Sequence, residues 1–270
     1  MTKKVLYERV GKIAYITFNR PEKLNALNSE MLKDLMNALD YAEADNEACV
    51  VILRGAGRAF SVGYDIVPAQ GYSSEKRTIT EDRDILQGHI DKWLRVYEFP
   101  KPVITQIHGF CIAGATMLAI CSDITMVSDE CRIRWPSLPI GGGLIGTMWT
   151  WLIGPKKAKE MSFIAGSELS GKEAHSLGWA NHSVPEAKLE EETLRIATAI
   201  AATPADLLRI KKLSINRIMD TQGFRTAAQF GAEWDAIAHF STGATEMKQR
   251  IRENGLRDSI NWMEQKKTQN

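Results

Sequence analysis

Two short segments hold the residues whose types and spacing could do chemistry. Arg58-Ala59-Phe60-Ser61-Val62-Gly63-Tyr64-Asp65 follows an apolar run that ends near Arg54 and sets a glycine just before a bulky tyrosine and an aspartate. His108-Gly109-Phe110-Cys111-Ile112-Ala113-Gly114-Ala115 lies between a buried-type strand and a helix of small residues. In both, small residues let a backbone N–H face a ligand atom at close range. In the second the donors also stand at a helix N-terminus, which favours developing negative charge. Two N–H groups converging on one oxygen make an oxyanion hole. Taken singly, each segment also reads as a tight strand-to-helix turn.

Other signatures are absent or misplaced. Gly141, Gly143 and Gly146 spell GxGxxG, but they follow the proline-interrupted Trp135-Pro136-Ser137-Leu138-Pro139 rather than a clean strand, which argues against a dinucleotide site. There is no GxxxxGK[ST] and no GxSxG, and His89, His108, His175, His182 and His239 show no metal-ligand spacing. No metal and no separate cofactor is therefore expected. A formal charge of +1 provides no general field to recruit nucleic acid or an anionic membrane, so any anionic ligand must be held locally. Cys49, Cys111, Cys121 and Cys131 form no CxxC pair and sit in or beside apolar stretches, as reduced thiols would. The N-terminus has no signal-peptide core and no apolar segment approaches the roughly 20 residues of a membrane span. A cytoplasmic protein is expected.

The elements that must position these segments follow from periodicity. Val5 to Val10 and Ile13 to Phe18, divided by Gly11-Lys12, predict a hairpin. Asn28 or Ser29 can cap a helix with Leu32, Leu35, Met36 and Leu39 on its apolar face, followed by the strand Cys49 to Leu53. After a polar stretch from Pro68 to Thr80, a helix carries Leu86, Ile90, Trp93, Leu94 and Tyr97 on one face and stops before Pro100 and Pro102. Val103 to Ile107, Ala113 to Ile120 and Ile124 to Val127 read as strand, helix and strand, so the first half is α/β with a largely parallel sheet. From Glu186 onward only helices are expected: Leu189 to Ala202, Pro204 to Met219, Thr221 to Phe240 and Gly243 to Asn254, with a weakly ordered tail after Gly255. This divides the chain into a core, 1–185, and a helical region, 186–270.

Several blocks then resemble, in order, the signatures of the crotonase (enoyl-CoA hydratase/isomerase) superfamily. They are Asn19-Arg20-Pro21-Glu22-Lys23-Leu24-Asn25-Ala26-Leu27-Asn28, then Arg58 to Ile66, Lys101-Pro102-Val103-Ile104, Cys121-Ser122-Asp123-Ile124, and Gly166 to Val184. The resemblance spans roughly residues 5 to 250. It implies a crotonase-like spiral of ββα units with a helical C-terminal trimerisation region, a homotrimer or dimer of trimers, and an acyl-CoA thioester as substrate, coenzyme A being part of that substrate. Position by position, it puts the two oxyanion N–H donors at Tyr64 and Gly114. It runs the CoA path past Ala26, Val62 and Ile66 and offers Lys23 or Arg20 to the phosphates.

The departures from the family pattern matter as much. Its two hydratase glutamates correspond to Met117 and to Ser137, the residue after Pro136, and no acid occurs from Arg132 to Lys159. A thioether cannot move a proton and a lone serine is a poor base, so two-glutamate hydration is not expected. Met117, Trp135 and Leu138 suit a large or ring-shaped acyl group. C–C hydrolysis, decarboxylation or an atypical hydration are the candidate reactions, and a non-catalytic acyl-CoA-binding or assembly subunit is the alternative. Tyr64 fills a place usually taken by a small residue and can hydrogen-bond a substrate, whereas Asp65 reads as a brace more than as a reactant. Substitute proton carriers could come from His89 and Glu81 to Asp84, in or near the helix over the pocket, or from Glu233, Asp235 and His239, which could reach a pocket or a neighbour's. The first group reads more as the solvated face of its helix and the second as i,i+4 surface partners.

Overall fold

The computed structural model describes residues 3–65 and 77–268. Strands β1 (Val5–Val10) and β2 (Ile13–Phe18) pair antiparallel about Gly11, whose φ of 58° closes the turn. β3 (Val50–Gly55), β4 (Val103–Ile107), β6 (Ile124–Ser128) and β9 (His182–Val184) continue from β2 in parallel, giving the order β1-β2-β3-β4-β6-β9. β4 has no exposed residue and β3 only half-buried ones at its end, which explains their unbroken apolar reading.

A second, three-stranded sheet lies beside the first, made of β5 (Phe110–Ile112), β7 (Arg132–Arg134) and β8 (Glu168–Ser170). The chain repeatedly visits the large sheet, then the small one, then a helix: β4, β5 and α3 (Gly114–Cys121) form one such turn, and β6, β7 and α4 (Gly143–Phe163) the next. Two earlier turns do the same with single-residue bridges, Leu27 with Tyr64 before helix α1 (Ser29–Ala44), and Ser61 with Cys111 before helix α2 (Ile79–Tyr97). This is the expected spiral of ββα units. α4 is broken at Gly154 (φ 73°, ψ 163°), just before Pro155, and α5 (Gly171–Ser176) follows β8.

The helical region does not stand apart from the core. α6 (Glu186–Ala201) lays Leu189, Ala197 and Ala201 on Val50, Ile52 and Ile104 of the large sheet. α7 (Ala205–Thr221) leads to α8 (Phe224–His239), whose Phe224, Ala228, Ala232 and Ala236 join the main core against α2 and α4. α9 (Thr242–Asn254) follows as expected. The tail after Gly255 is not weakly ordered: it forms α10 (Leu256–Thr268), fixed by Arg250, which binds Asp258 at 2.9 Å and lies 4.5 Å from the Trp262 ring centre.

Candidate active site

The two glycine-containing loops are laced together by main-chain hydrogen bonds. The N–H of Phe60 donates to the carbonyl of His108 (3.0 Å), that of Ser61 to Phe110 (3.0 Å), and that of Ile112 to Ser61 (3.1 Å). Gly63, at φ 82°, presses against the second loop: a Cβ there would lie 2.5 Å from the Ile112 oxygen and 3.1 Å from the Gly114 nitrogen. Only glycine fits this crossing. On the other edge, Leu27 N–H donates to the Gly63 carbonyl (2.8 Å) and Asp65 N–H to the Leu27 carbonyl (3.0 Å). Because both of these point at Leu27, the N–H of Tyr64 between them turns to the opposite side of the extended chain.

Gly114 opens α3, with Ala113 as the N-cap at φ 52°, ψ −119° and no capping side chain. That conformation is costly for a residue with a Cβ, by about 1–3 kcal/mol, and persists only where the surroundings impose it. Here the Ala113 N–H donates to the Arg134 carbonyl (3.1 Å) and its own carbonyl accepts from the Thr116 N–H (2.9 Å). The first N–H groups of a helix have no partner within it, and they carry the positive end of its dipole. A thioester oxygen is the kind of acceptor that such a pair of loops can hold.

The Tyr64 side chain folds back over this position. A Cβ on Gly114 would meet Tyr64 Cε2 at 2.5 Å and Cζ at 2.9 Å, so the ring lies where any larger residue would put its side chain. The Tyr64 hydroxyl accepts a hydrogen bond from Trp93 Nε1–H at 3.0 Å, and Trp93 has no exposed surface. His89, one helical turn before Trp93, packs its ring 4.7 Å from that of Tyr64, and its Nδ1 is buried with no hydrogen-bond partner among the described residues. Burial, with Lys92 nearby, pushes the His89 pKa down to about 4, so the imidazole is neutral at physiological pH. His89 therefore does not belong to a solvated face. Its pairing with Tyr64 went unread, although the i,i+4 spacing of His89 and Trp93 puts both on one side of α2.

The remaining candidates fall into three groups. Asp65 is a brace: its Oδ2 binds Arg20 Nη1 at 2.6 Å, and the same guanidinium donates to the Ala26 carbonyl at 3.1 Å, which also ties Arg20 down as a structural cation. Lys23 is exposed, Ala26 is buried and Val62 is half-buried beside the loops, while Ile66 and most of the polar stretch from Pro68 lie outside the described residues. Met117, Trp135 and Leu138 are enclosed, with Met117 at 0% exposure, and Ser137 is half-buried. Trp135 packs edge-on to Trp149 (5.4 Å), whose Nε1–H donates to Thr116 Oγ1 at 3.1 Å, so these tryptophans belong to the core behind α3. A cleft of about 200 Å³ lined by Glu43, Arg95, Arg209 and Lys212 includes no residue of either loop.

A second polar cluster lies two turns earlier on α2. His239 Nδ1 is 2.6 Å from Asp82 Oδ2, and its Nε2 is 3.7 Å from Asp235 Oδ2. Asp235 Oδ1 accepts the Gly142 N–H at 2.6 Å at the entrance to α4, and Lys248 Nζ donates to the His239 carbonyl at 3.0 Å. Asp82 and Asp235 are buried, so neither is the solvated or surface-paired residue expected from spacing. Among the described residues no group of three His, Cys, Asp or Glu side chains could hold a metal ion, and no helix is long and apolar enough to cross a membrane.

Comparison with known proteins agrees with this architecture. The family profile described as enoyl-CoA hydratase/isomerase matches residues 8–256. The short-chain-enoyl-CoA hydratase of Clostridium acetobutylicum is 33% identical over 234 residues, covering 85% of this chain and 87% of that one. The hydroxycinnamoyl-CoA hydratase-lyase of Pseudomonas fluorescens is 27% identical over 226 residues, covering 80% and 79%. Among solved structures, an enoyl-CoA hydratase/isomerase from Xanthobacter autotrophicus Py2 superposes with a TM-score of 0.90 at 34% identity, over 98% of this chain and 99% of that one. The spiral is thus the crotonase fold, and the chain belongs to the enoyl-CoA hydratase/isomerase family.

Proposed function

We propose that the protein is an enzyme acting on an acyl-CoA thioester, whose carbonyl oxygen is held by the backbone N–H groups of Tyr64 and Gly114 while an enolate forms. The observation that carries this reading is the lacing of the two loops, with Gly63 within 3.1 Å of the Gly114 nitrogen through its would-be Cβ. Donors fixed before the reaction need no reorganisation as charge develops, and one such donor contributes about 2.7–4 kcal/mol to lowering a barrier. Lys23, exposed beside the loops, would meet the CoA phosphates, and Ala26 and Val62 would line the path of its adenine and pantetheine.

The reaction is not two-glutamate hydration. Met117 and Ser137 stand at the two positions concerned, Met117 fully enclosed, and Asp65 is engaged by Arg20. A bulky or cyclic acyl group undergoing C–C hydrolysis, decarboxylation or an atypical hydration accommodates the absence of both glutamates, with Met117, Trp135 and Leu138, enclosed here, having to open to line its pocket; a relative named for hydroxycinnamoyl-CoA supports a ring-bearing substrate. The protein would work as a homotrimer or dimer of trimers. Leu207, Ile210 and Ile218 on α7 and Phe230, Trp234 and Ile237 on α8 are exposed apolar residues that closed assembly would bury. Four free cysteines, three of them buried, fit the cytoplasm.

The test is incubation with short, branched, aromatic and cyclic enoyl- and β-ketoacyl-CoAs, followed by mass spectrometry. Gain of water or loss of a fragment with a bulky substrate is the expected result. Enclosure of Met117 favours one other reading, an acyl-CoA-binding subunit without turnover; tight binding with unchanged mass across the panel would establish it and overturn the enzyme.

A further inference from the structure

We propose that the phenolic hydroxyl of Tyr64 is the group that carries the proton to and from the α-carbon of the thioester, with Trp93 and His89 as its positioning residues. The inference rests on the oxyanion reading above and names the proton carrier that the reading lacks.

Tyr64 meets the site twice. Its main chain supplies one donor, and its ring covers Gly114, which supplies the other, at the 2.5–2.9 Å approaches that a Cβ there would suffer. Cζ lies 2.9 Å from where a Cβ on Gly114 would stand, so the phenol borders the Gly114 donor, and a thioester oxygen held there would come close to the hydroxyl one bond beyond. The α-carbon is two bonds from that oxygen. The Trp93 Nε1–H, at 3.0 Å, holds the phenol oxygen from a fully buried side chain, and it would also stabilise the charge on a phenolate. His89 closes the far side of the ring at 4.7 Å. Its buried Nδ1 has no partner among the described residues, and leaving a buried nitrogen unpaired is costly unless a ligand completes it.

The step balances with solvent water as the only further reactant: water takes the phenol proton before abstraction and returns one to the phenolate after delivery. In one direction the α-C–H bond breaks, its electron pair enters the enolate, negative charge settles on the oxygen held by the two N–H groups, and the proton joins the Tyr64 phenolate. In the other, the Tyr64 O–H bond breaks, the enolate collapses to the thioester with a new α-C–H bond, and the phenolate remains, held by Trp93.

The experiment uses the full chain in deuterium oxide with phenylacetyl-CoA, whose α-protons are acidified by both the ring and the thioester. Deuterium uptake at the α-carbon is followed by mass spectrometry and binding by calorimetry. The unaltered protein is expected to exchange. Tyr64→Phe, which keeps the ring and both N–H donors, should lose about 100-fold in exchange with Kd within about threefold. Trp93→Phe should lose about tenfold, again with Kd unchanged. Exchange at the original rate in Tyr64→Phe overturns the inference and leaves the oxyanion reading intact, whereas an unaltered protein that does not exchange overturns both. Should Tyr64→Phe fail to fold, Trp93→Phe decides alone: undiminished exchange in it overturns the proposal.

Discussion

Helix α2 presents two polar clusters that differ in almost every physical respect. Near its N-terminus, Asp82 joins His239, Asp235, Arg77 and the Gly142 N–H in a network in which each buried carboxylate has a cationic, imidazole or N–H partner. Two turns on, His89 and Trp93 meet Tyr64 in a group with no formal charge at rest, in which one buried nitrogen has no partner among the described residues. Charge that is fully paired binds elements together and has little capacity left for a ligand. A neutral, incompletely satisfied group keeps that capacity, at some cost to the fold. The first cluster therefore reads as a clasp joining α2, α8, α9 and the entrance to α4, and the second as the working site.

The largest expected effect tests the clasp. Asp235→Ala removes the acceptor of the Gly142 N–H and leaves His239 with one carboxylate instead of two. Losing a buried charged hydrogen bond and stranding its donor should lower stability by about 2–4 kcal/mol in urea unfolding. The rate of α-deuterium exchange per folded molecule should stay the same. Equal losses of exchange and of stability would instead make the clasp part of the chemistry and dissolve the contrast.

The next effect concerns the neutrality of the second cluster. Folded His89 has its pKa near 4, below the ordinary 6.5, so the unfolded chain takes up the proton first as pH falls. The stability associated with this residue is fully present above pH 6.5 and is lost as pH drops from 6.5 towards 4. Other groups titrate over the same range, so the informative quantity is the difference from His89→Gln, which has no proton to take up. Between pH 7 and pH 4 the unaltered protein should lose roughly 1–3 kcal/mol more than the variant. Parallel pH profiles would mean that the imidazole is charged or open to solvent, and the two clusters would then be alike.

What could be read in advance follows from how local each signal is. β1 and β2 were legible from alternation, β3, β4 and β6 from short unbroken apolar runs, α1 and α2 from apolar residues at period 3.6, with Asn28 capping α1 by accepting the Met31 N–H at 2.9 Å, and α3 from its run of small residues after a strand. β5, β7 and β8 have three residues each, too few for alternation, so the small sheet that lines up the loops was invisible. α10 was missed because it has few apolar residues and is held by Arg250, from the preceding helix. In the site, glycines marked the two loops, since tight crossings leave few alternatives. The contact of His89 with Tyr64 and of His239 with Asp82 joins residues 25 and 157 positions apart, which no local pattern encodes.

The smallest effect isolates the packing of the working site. Gly114 has no left-handed φ, so alanine is permitted there by the backbone, and the obstacle is the Tyr64 ring 2.5 Å from the new methyl. Gly114→Ala should cost about 1–2 kcal/mol by overpacking. In Tyr64→Ala the ring is gone, and adding Gly114→Ala to that variant should cost close to nothing. The double-mutant cycle in urea should therefore give a coupling of about 1–2 kcal/mol between two residues in contact. Additive costs would mean that the ring does not rest on Gly114, and the phenol would then lose its place beside the oxyanion. The same cycle run across the clasp, pairing Gly114→Ala with Asp235→Ala, should show no coupling, because the two clusters share a helix and no contact among the described residues.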